Sequence, residues 1–208
     1  MPEKVIEFRK VSMAFGEKEI LREVSFDVRK GETLAFIGPS GSGKSTILRL
    51  LVGLLEPTGG EILIMGEDVA RFDEDRWNEI RKKMGMVFQY SALFDFMNVG
   101  ENVAFGLRQH TELSEEEIQA IVAARLEQVG LPGVQSSYPA ELSGGMKKRV
   151  SLARATALQP EIVLYDEPTA GLDPIMSENI NELIIKTRET MGVTSILVTH
   201  DMNSVFEV

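Results

Sequence analysis

The chain has 208 residues, 43% of them hydrophobic and 26% charged, with a formal net charge of −10 and no cysteine. That balance suits one large domain or two small ones with a real core, and no apolar run reaches the ~18–20 residues that span a bilayer. The missing cysteines exclude a disulfide framework and thiolate metal sites, the charged start from Met1 to Lys10 lacks a secretory signal's apolar stretch, and the negative charge argues against nucleic acid as a partner, so a cytoplasmic protein is expected.

The first stretch reads as β. Val5-Ile6-Glu7-Phe8, Ile20-Leu21 and Val24 to Val28 are short, partly alternating runs punctuated by Gly16 and Gly31. Thr33 to Ile37 follows as an apolar strand of the buried parallel type. It leads into Gly38-Pro39-Ser40-Gly41-Ser42-Gly43-Lys44-Ser45, which matches G-x-x-x-x-G-K-[ST] without a mismatch, and then into a helical stretch from about Lys44 to Val52. In that setting the glycines let backbone N–H groups form a concave nest for phosphate oxygens. The helix N-terminus adds partial positive charge. Lys44 reaches toward the β- and γ-phosphates, Ser45 offers a hydroxyl to Mg²⁺, and Thr46 supports the α-phosphate. Ile62-Leu63-Ile64 and Met84 to Gln89 are two further short strands.

From about Tyr90 to Leu158 the texture is helical. Ser114 and Glu117 form a capping box ahead of Ile118, Ile121, Val122 and Leu126. A second helix starts near Gly145, with Met146, Val150, Ala153 and Ala157 on one face. At its start, Leu142-Ser143-Gly144-Gly145 exposes a hydroxyl and N–H groups at a positive helix end, a second anion site. Two phosphate-binding elements about 100 residues apart make sense if each nucleotide is held by two copies of the chain. Ile162 to Tyr165 returns to buried strand and ends in two carboxylates. Asp166 suits the Mg²⁺ side of the site, and Glu167 is placed to orient and deprotonate an attacking water.

Ser177 to Glu189 reads as helix and Ser195 to Thr199 as strand. The chain stops eight residues past His200 with a helix beginning at Met202, which reads as a truncation. Strands alternating with helices predict an α/β fold with a parallel core sheet. The expected organisation is a single domain over 1–208. Residues 1–89 and 159–208 form its core with an N-terminal antiparallel β subdomain, and residues 90–158 form an inserted α-helical subdomain.

These motifs, in this order, resemble the nucleotide-binding domain of ABC transporters over essentially the whole chain. The resemblance implies a P-loop NTPase with a RecA-like core that binds ATP and Mg²⁺ and hydrolyses the ATP. It makes Gln89 the Q-loop glutamine, touching Mg²⁺ and the attacking water, and Leu142 to Met146 the signature segment. Ala170-Gly171-Leu172-Asp173 becomes the D-loop, with Asp173 linking two sites across a dimer, and His200 the switch histidine on the γ-phosphate. Phe15 aligns with an aromatic that stacks on adenine, a sheet-edge core residue being the other reading. Ser143, Gly144, Gly145 and Asp173 then act on the nucleotide of the opposite copy in an ATP-sandwich homodimer.

The same resemblance implies integral-membrane permease subunits that hold the chain on the inner face of the cell membrane. Leu93, Phe94, Phe96 and Met97 either line the docking groove for them or pack within the helical subdomain. Two departures stand out: Met146 occupies the place of the usual signature glutamine, and the family's last strands and helices after the switch histidine are missing. Leu93-Phe94-Asp95, Glu101 to Phe105 and Met146 narrow the resemblance to the ATPases of lipid-trafficking transporters associated with MCE proteins, the Mla or toluene-tolerance type. That implies phospholipid or other hydrophobic cargo and an MCE-type lipid-binding partner. The alternatives are a polar amino-acid transporter ATPase, which ordinarily keeps the signature glutamine, and a non-transport ABC ATPase acting on ribosomes or DNA.

Overall fold

A computed structural model of the chain describes residues 3–208, so the first two positions of the charged N-terminal stretch lie outside the described residues. The chain begins as two long antiparallel strands, β1 (Lys4–Phe15) and β2 (Lys18–Arg29), joined through Gly16 at φ 61°. The expected run Val5 to Phe8 extends into β1, and Ile20-Leu21 and Val24 to Val28 merge into β2, because the pairing continues through several register shifts rather than breaking. β3 (Thr33–Ile37) leads to α1 (Lys44–Leu51). β4 (Gly59–Ile64) and β5 (Glu67–Asp68) then complete an antiparallel sheet of order β2-β1-β4-β5.

α2 (Glu74–Lys82), capped by the Asp73 carboxylate, leads to β6 (Met84–Val87). Three helices follow: α3 (Val99–His110), α4 (Glu115–Gln128) and α5 (Gly144–Thr156). The Ser114–Glu117 capping box forms as the sequence predicts, and Asn98 with Glu101 makes a second one at the start of α3. β7 (Ile162–Asp166), α6 (Pro174–Met191), β8 (Thr194–Thr199) and α7 (Met202–Glu207) finish the chain. β3, β8, β7 and β6 form the second sheet in that order, all parallel.

The parallel strands are apolar on both faces because both faces are covered. Ile162 and Leu164 of β7, with Ile196 and Val198 of β8, pack with α1 and the antiparallel sheet. Val163, Tyr165 and Leu197 point the other way, into a core made with α3, α4, α5 and α6. Consecutive side chains of one strand thus hold two layers apart.

Close packing reaches the backbone where α5 ends against β6. A Cβ built on Gly85 would lie far inside contact distance of the Ala155 carbonyl oxygen and 3.3 Å from Pro160 Cγ. Gly85→Ala therefore forces α5 and β6 apart, an overpacking cost of about 1–3 kcal/mol. Thermal denaturation followed by circular dichroism should show a lower Tm, by ~2–4 °C for each kcal/mol in a chain of this size.

Candidate active site

In an open parallel sheet, ligands bind at the carboxyl ends of the strands. Here each of the four strands delivers candidate groups to that end. β3 runs into the glycine-rich loop, β6 into Gln89, β7 into Asp166 and Glu167, and β8 into His200. A cavity of about 570 Å³ opens there. It is lined by Pro39, Ser40, Gly41, Gly43, Lys44, Ser45 and Thr46 of the loop and helix start, together with Phe15, Gln89, Glu167 and His200.

The loop needs its glycines for their backbone freedom and for lack of space. Gly41 and Gly43 sit at φ 82° and 93°, in the left-handed region that costs a side chain free energy. A Cβ on Gly43 would also come within 2.8 Å of Leu21 Cδ2, so the loop lies directly on β2. Gly38 packs against Ser42, a Cβ there falling 3.1 Å from Ser42 Oγ. Lys44, 9% exposed, folds back over this loop and donates to the carbonyl oxygens of Gly38 at 2.7 Å and Pro39 at 3.0 Å. Its ammonium also lies 3.9 Å from Glu167 Oε1.

Ser45 Oγ donates to Asp166 Oδ1 at 3.1 Å. This bond joins the first turn of α1 to the end of β7, bringing together two residues 121 positions apart. Burial pushes the Asp166 carboxyl above its ordinary pKa, and the Ser45 bond opposes that shift. A half-buried carboxylate beside a hydroxyl is a set of hard oxygen donors. Mg²⁺ takes one or two such protein oxygens, with phosphate and water filling the rest of its shell, so the donors present fit that ion.

Glu167 stands at φ 49°, an uncommon conformation for a non-glycine residue and one that clusters at functional sites. The surroundings hold it there. Its N–H donates to the Val198 carbonyl at 2.8 Å, and its Oε2 accepts from the His200 N–H at 3.2 Å and lies 2.8 Å from His200 Nδ1. Phe15, at the end of β1, is 49% exposed on the cavity wall, so the sheet-edge core reading does not describe it.

The serine–glycine segment and Asp173 lie off this cavity. Ser143 caps α5, its Oγ accepting from the Met146 N–H at 3.3 Å, and Ser143 and Gly144 are exposed. Asp173 caps α6 in the same way, accepting from the Met176 N–H at 2.9 Å. α6 starts three residues earlier than the sequence suggests, because Asp173 followed by Pro174 is a cap and first-turn pair. The two helix starts touch. A Cβ on Gly144 would sit 3.9 Å from Leu172, and one on Gly145 would run into the Met176 methyl.

After β6 the chain splits the apolar group read as either groove or packing. Leu93 packs on the helical core. Phe94 is half-buried and its ring lies 5.7 Å from that of Phe96 and 5.0 Å from that of Phe105. Phe96, 76% exposed, lines a surface groove of about 350 Å³ with Met97, Glu101, Phe105, Arg108 and Gln109. The loop beneath is shaped by Asn102, which is fully buried. Its amide nitrogen donates toward the carbonyls of Phe94, Met97 and Asn98 at 3.0–3.1 Å, and its oxygen accepts from the Phe94 N–H at 2.8 Å.

Sequence reasoning missed Lys148. It is 5% exposed, and its ammonium donates to the carbonyl oxygens of Gln89 and, at 3.2 Å, of Glu167. Burial pulls its pKa down to about 8, against the opposing pull of Asp166 and Glu167. Lys147-Lys148-Arg149 reads as a solvated basic run. The available signal was periodic: position 148 falls four before Leu152 and three before Ser151, both buried.

Comparison with known proteins agrees with this geometry. A family model described as ABC transporter matches residues 21–170. The intermembrane phospholipid transport system ATP-binding protein MlaF of Haemophilus influenzae is 43% identical over 208 residues, all of this chain and 79% of the relative. The chloroplastic protein TRIGALACTOSYLDIACYLGLYCEROL 3 of Arabidopsis thaliana is 50% identical over 188 residues, 86% of this chain and 54% of the relative. Among solved structures, the dimeric post-hydrolysis state of the ATP-binding cassette MJ0796 bound to ADP and Pi superposes with a TM-score of 0.87 at 35% identity. That match covers 97% of this chain and 90% of the other. Four strand ends meeting at one glycine-rich loop, with a capped serine–glycine segment held outside, are therefore the parts of an ATP-hydrolysing cassette, and the chain belongs to the ABC transporter family.

Proposed function

We propose that two copies of this chain clasp two ATP molecules, and that hydrolysis powers a transporter for phospholipid or other hydrophobic cargo. The observation that carries this reading is the convergence of Lys44, Ser45, Gln89, Glu167 and His200 on one cavity while Ser143 and Gly144 stay exposed outside it. In this reading the loop N–H groups and Lys44 hold the phosphates, Phe15 takes the adenine, and Ser143, Gly144, Gly145 and Asp173 complete the site of the other copy. The working division is the one expected from sequence, with 90–158 as the helical subdomain between the two parts of the core.

Lys44 trades its bonds to Gly38 and Pro39 for the β- and γ-phosphates when nucleotide enters. Ser45 and Asp166 would hold Mg²⁺ with Gln89, and the ion would neutralise charge on the phosphates. A water oxygen bonds to the γ-phosphorus, the bond to the β–γ bridging oxygen breaks, and ADP leaves with that electron pair. Glu167 takes the water's proton, and His200, bonded to the Glu167 carboxylate, fixes its direction. The γ-phosphate is the group that touches both copies, so ATP favours the closed dimer and its loss opens it by differential binding.

Among the described residues no helix is long and apolar enough to cross a membrane. The exposed groove at Phe96, Met97 and Phe105 is the proposed seat of a permease subunit, which would hold the chain on the inner membrane face. The two relatives' names favour lipid over a polar amino acid as cargo. Affinity purification from membranes, with mass spectrometry of the captured subunits, tests the assignment. An integral-membrane permease accompanied by an MCE-type protein is the expected result, with turnover of the purified complex raised by phospholipid. Capture of an amino-acid permease, or of ribosomes, would replace this reading.

A further inference from the structure

Lys148 lies in the second turn of α5, the helix whose first residues are the exposed Gly144 and the buried Gly145. Its one ammonium bonds two carbonyl oxygens from different strands' ends, that of Gln89 after β6 and that of Glu167 after β7. Among the described residues no carboxylate oxygen accepts from it, so this is not an ion pair buried for its own sake. α5 grips the same segment a second time. Arg154 donates to the carbonyls of Ser91 at 2.9 Å and Ala92 at 2.6 Å and lies 5.9 Å from the Phe94 ring. Ser91 and Ala92 stand at φ 62° and 47°, so the segment is held in a conformation that non-glycine residues adopt only when clamped.

We propose that Lys148 is a positioning residue for ATP hydrolysis, fixing the main chain of Gln89 and of Glu167 relative to the helix that carries the serine–glycine segment. Each carbonyl belongs to a residue that lines the cavity, so a shift of either main chain moves a group that handles water or Mg²⁺. Catalytic rates are steep in such placement, and about 1 Å of misplacement costs ~100-fold. The arrangement also ties the chemistry to closure. When Ser143 and Gly144 engage the opposite copy's nucleotide, the displacement of α5 is carried by Lys148 directly to both residues. This inference rests on the reading that Gln89 and Glu167 serve hydrolysis.

The test compares Lys148→Met, Lys148→Arg and Glu167→Gln in the full chain with Mg-ATP, reading kcat, KM and ATP affinity by fluorescent-nucleotide titration. Met fills the space without donors. Lys148→Met is expected to lower kcat at least tenfold while KM and ATP affinity stay within about twofold, the signature of an interaction that matters in the transition state. Lys148→Arg, which keeps donors to both carbonyls, should recover most of that loss. Turnover of Lys148→Met within threefold of the parent overturns the proposal, as does a loss that appears wholly in ATP affinity. If Met at 148 unfolds the chain, Lys148→Gln decides, its shorter amide failing to reach both oxygens; parental turnover in that variant also overturns it. Parental turnover in Glu167→Gln instead defeats the underlying reading of the site, whatever Lys148 does.

Discussion

Glu167→Gln should bind ATP as the parent does and hydrolyse it at least ~100-fold more slowly, the usual contribution of a positioned general base. The amide keeps the shape and the hydrogen-bond reach of the carboxylate, so the contacts to the His200 N–H and the strained φ of 49° survive. What it cannot do is accept the water's proton. Single-turnover hydrolysis alongside equilibrium ATP binding separates the two effects. Turnover near the parental rate would remove Glu167 from the mechanism and leave the Glu167–His200 pair as a purely structural contact.

The second large effect concerns a residue that never meets the cavity of its own chain. In the Glu167→Gln background ATP should convert the protein to a dimer, seen by light scattering or gel filtration, because the bridging γ-phosphate is no longer removed. Adding Ser143→Arg should abolish that dimer while leaving the monomer's ATP affinity within about twofold, since uniform binding by the loop is untouched. Adding Lys44→Ala should instead weaken ATP binding itself, by roughly the 10–100-fold that a lost charge-assisted bond of 1.5–3 kcal/mol represents. A Ser143→Arg protein that still dimerises on ATP would break the composite site. The exposure of Ser143 and Gly144 makes this separation possible, because an arginine there meets solvent in the single chain.

Much of this site was legible because its parts are local. The glycine-rich loop carries its own constraints, with φ values only glycine tolerates and a helix that must start at Lys44. Asp166 and Glu167 end a strand too apolar to lie anywhere but inside. What the chain order could not state was distance between elements. That Ser45 bonds Asp166, or that Lys148 bonds Gln89 and Glu167, is decided by the strand order β3-β8-β7-β6 and by α5 crossing behind it. A lysine between two other basic residues is marked as buried only by its helical spacing to Ser151 and Leu152. The long β1 and β2 were misread as three pieces because exposed charges such as Arg9, Lys10, Arg22 and Glu23 interrupt the apolar alternation. α2 escaped notice because nearly all its residues are polar and only Ile80 is buried.

Asn102 separates the shape of the loop after β6 from the chemistry of its surface. All four of its bonds go to main-chain atoms of Phe94, Met97 and Asn98, so the contour of the loop is dictated from beneath, whatever side chains decorate its crest. Asp95 and Phe96 are both exposed there. The address label is thereby uncoupled from the frame it is written on. In the docking proposed above, Asp95 and Phe96 can be changed to suit a different membrane protein without disturbing the main-chain bonds underneath.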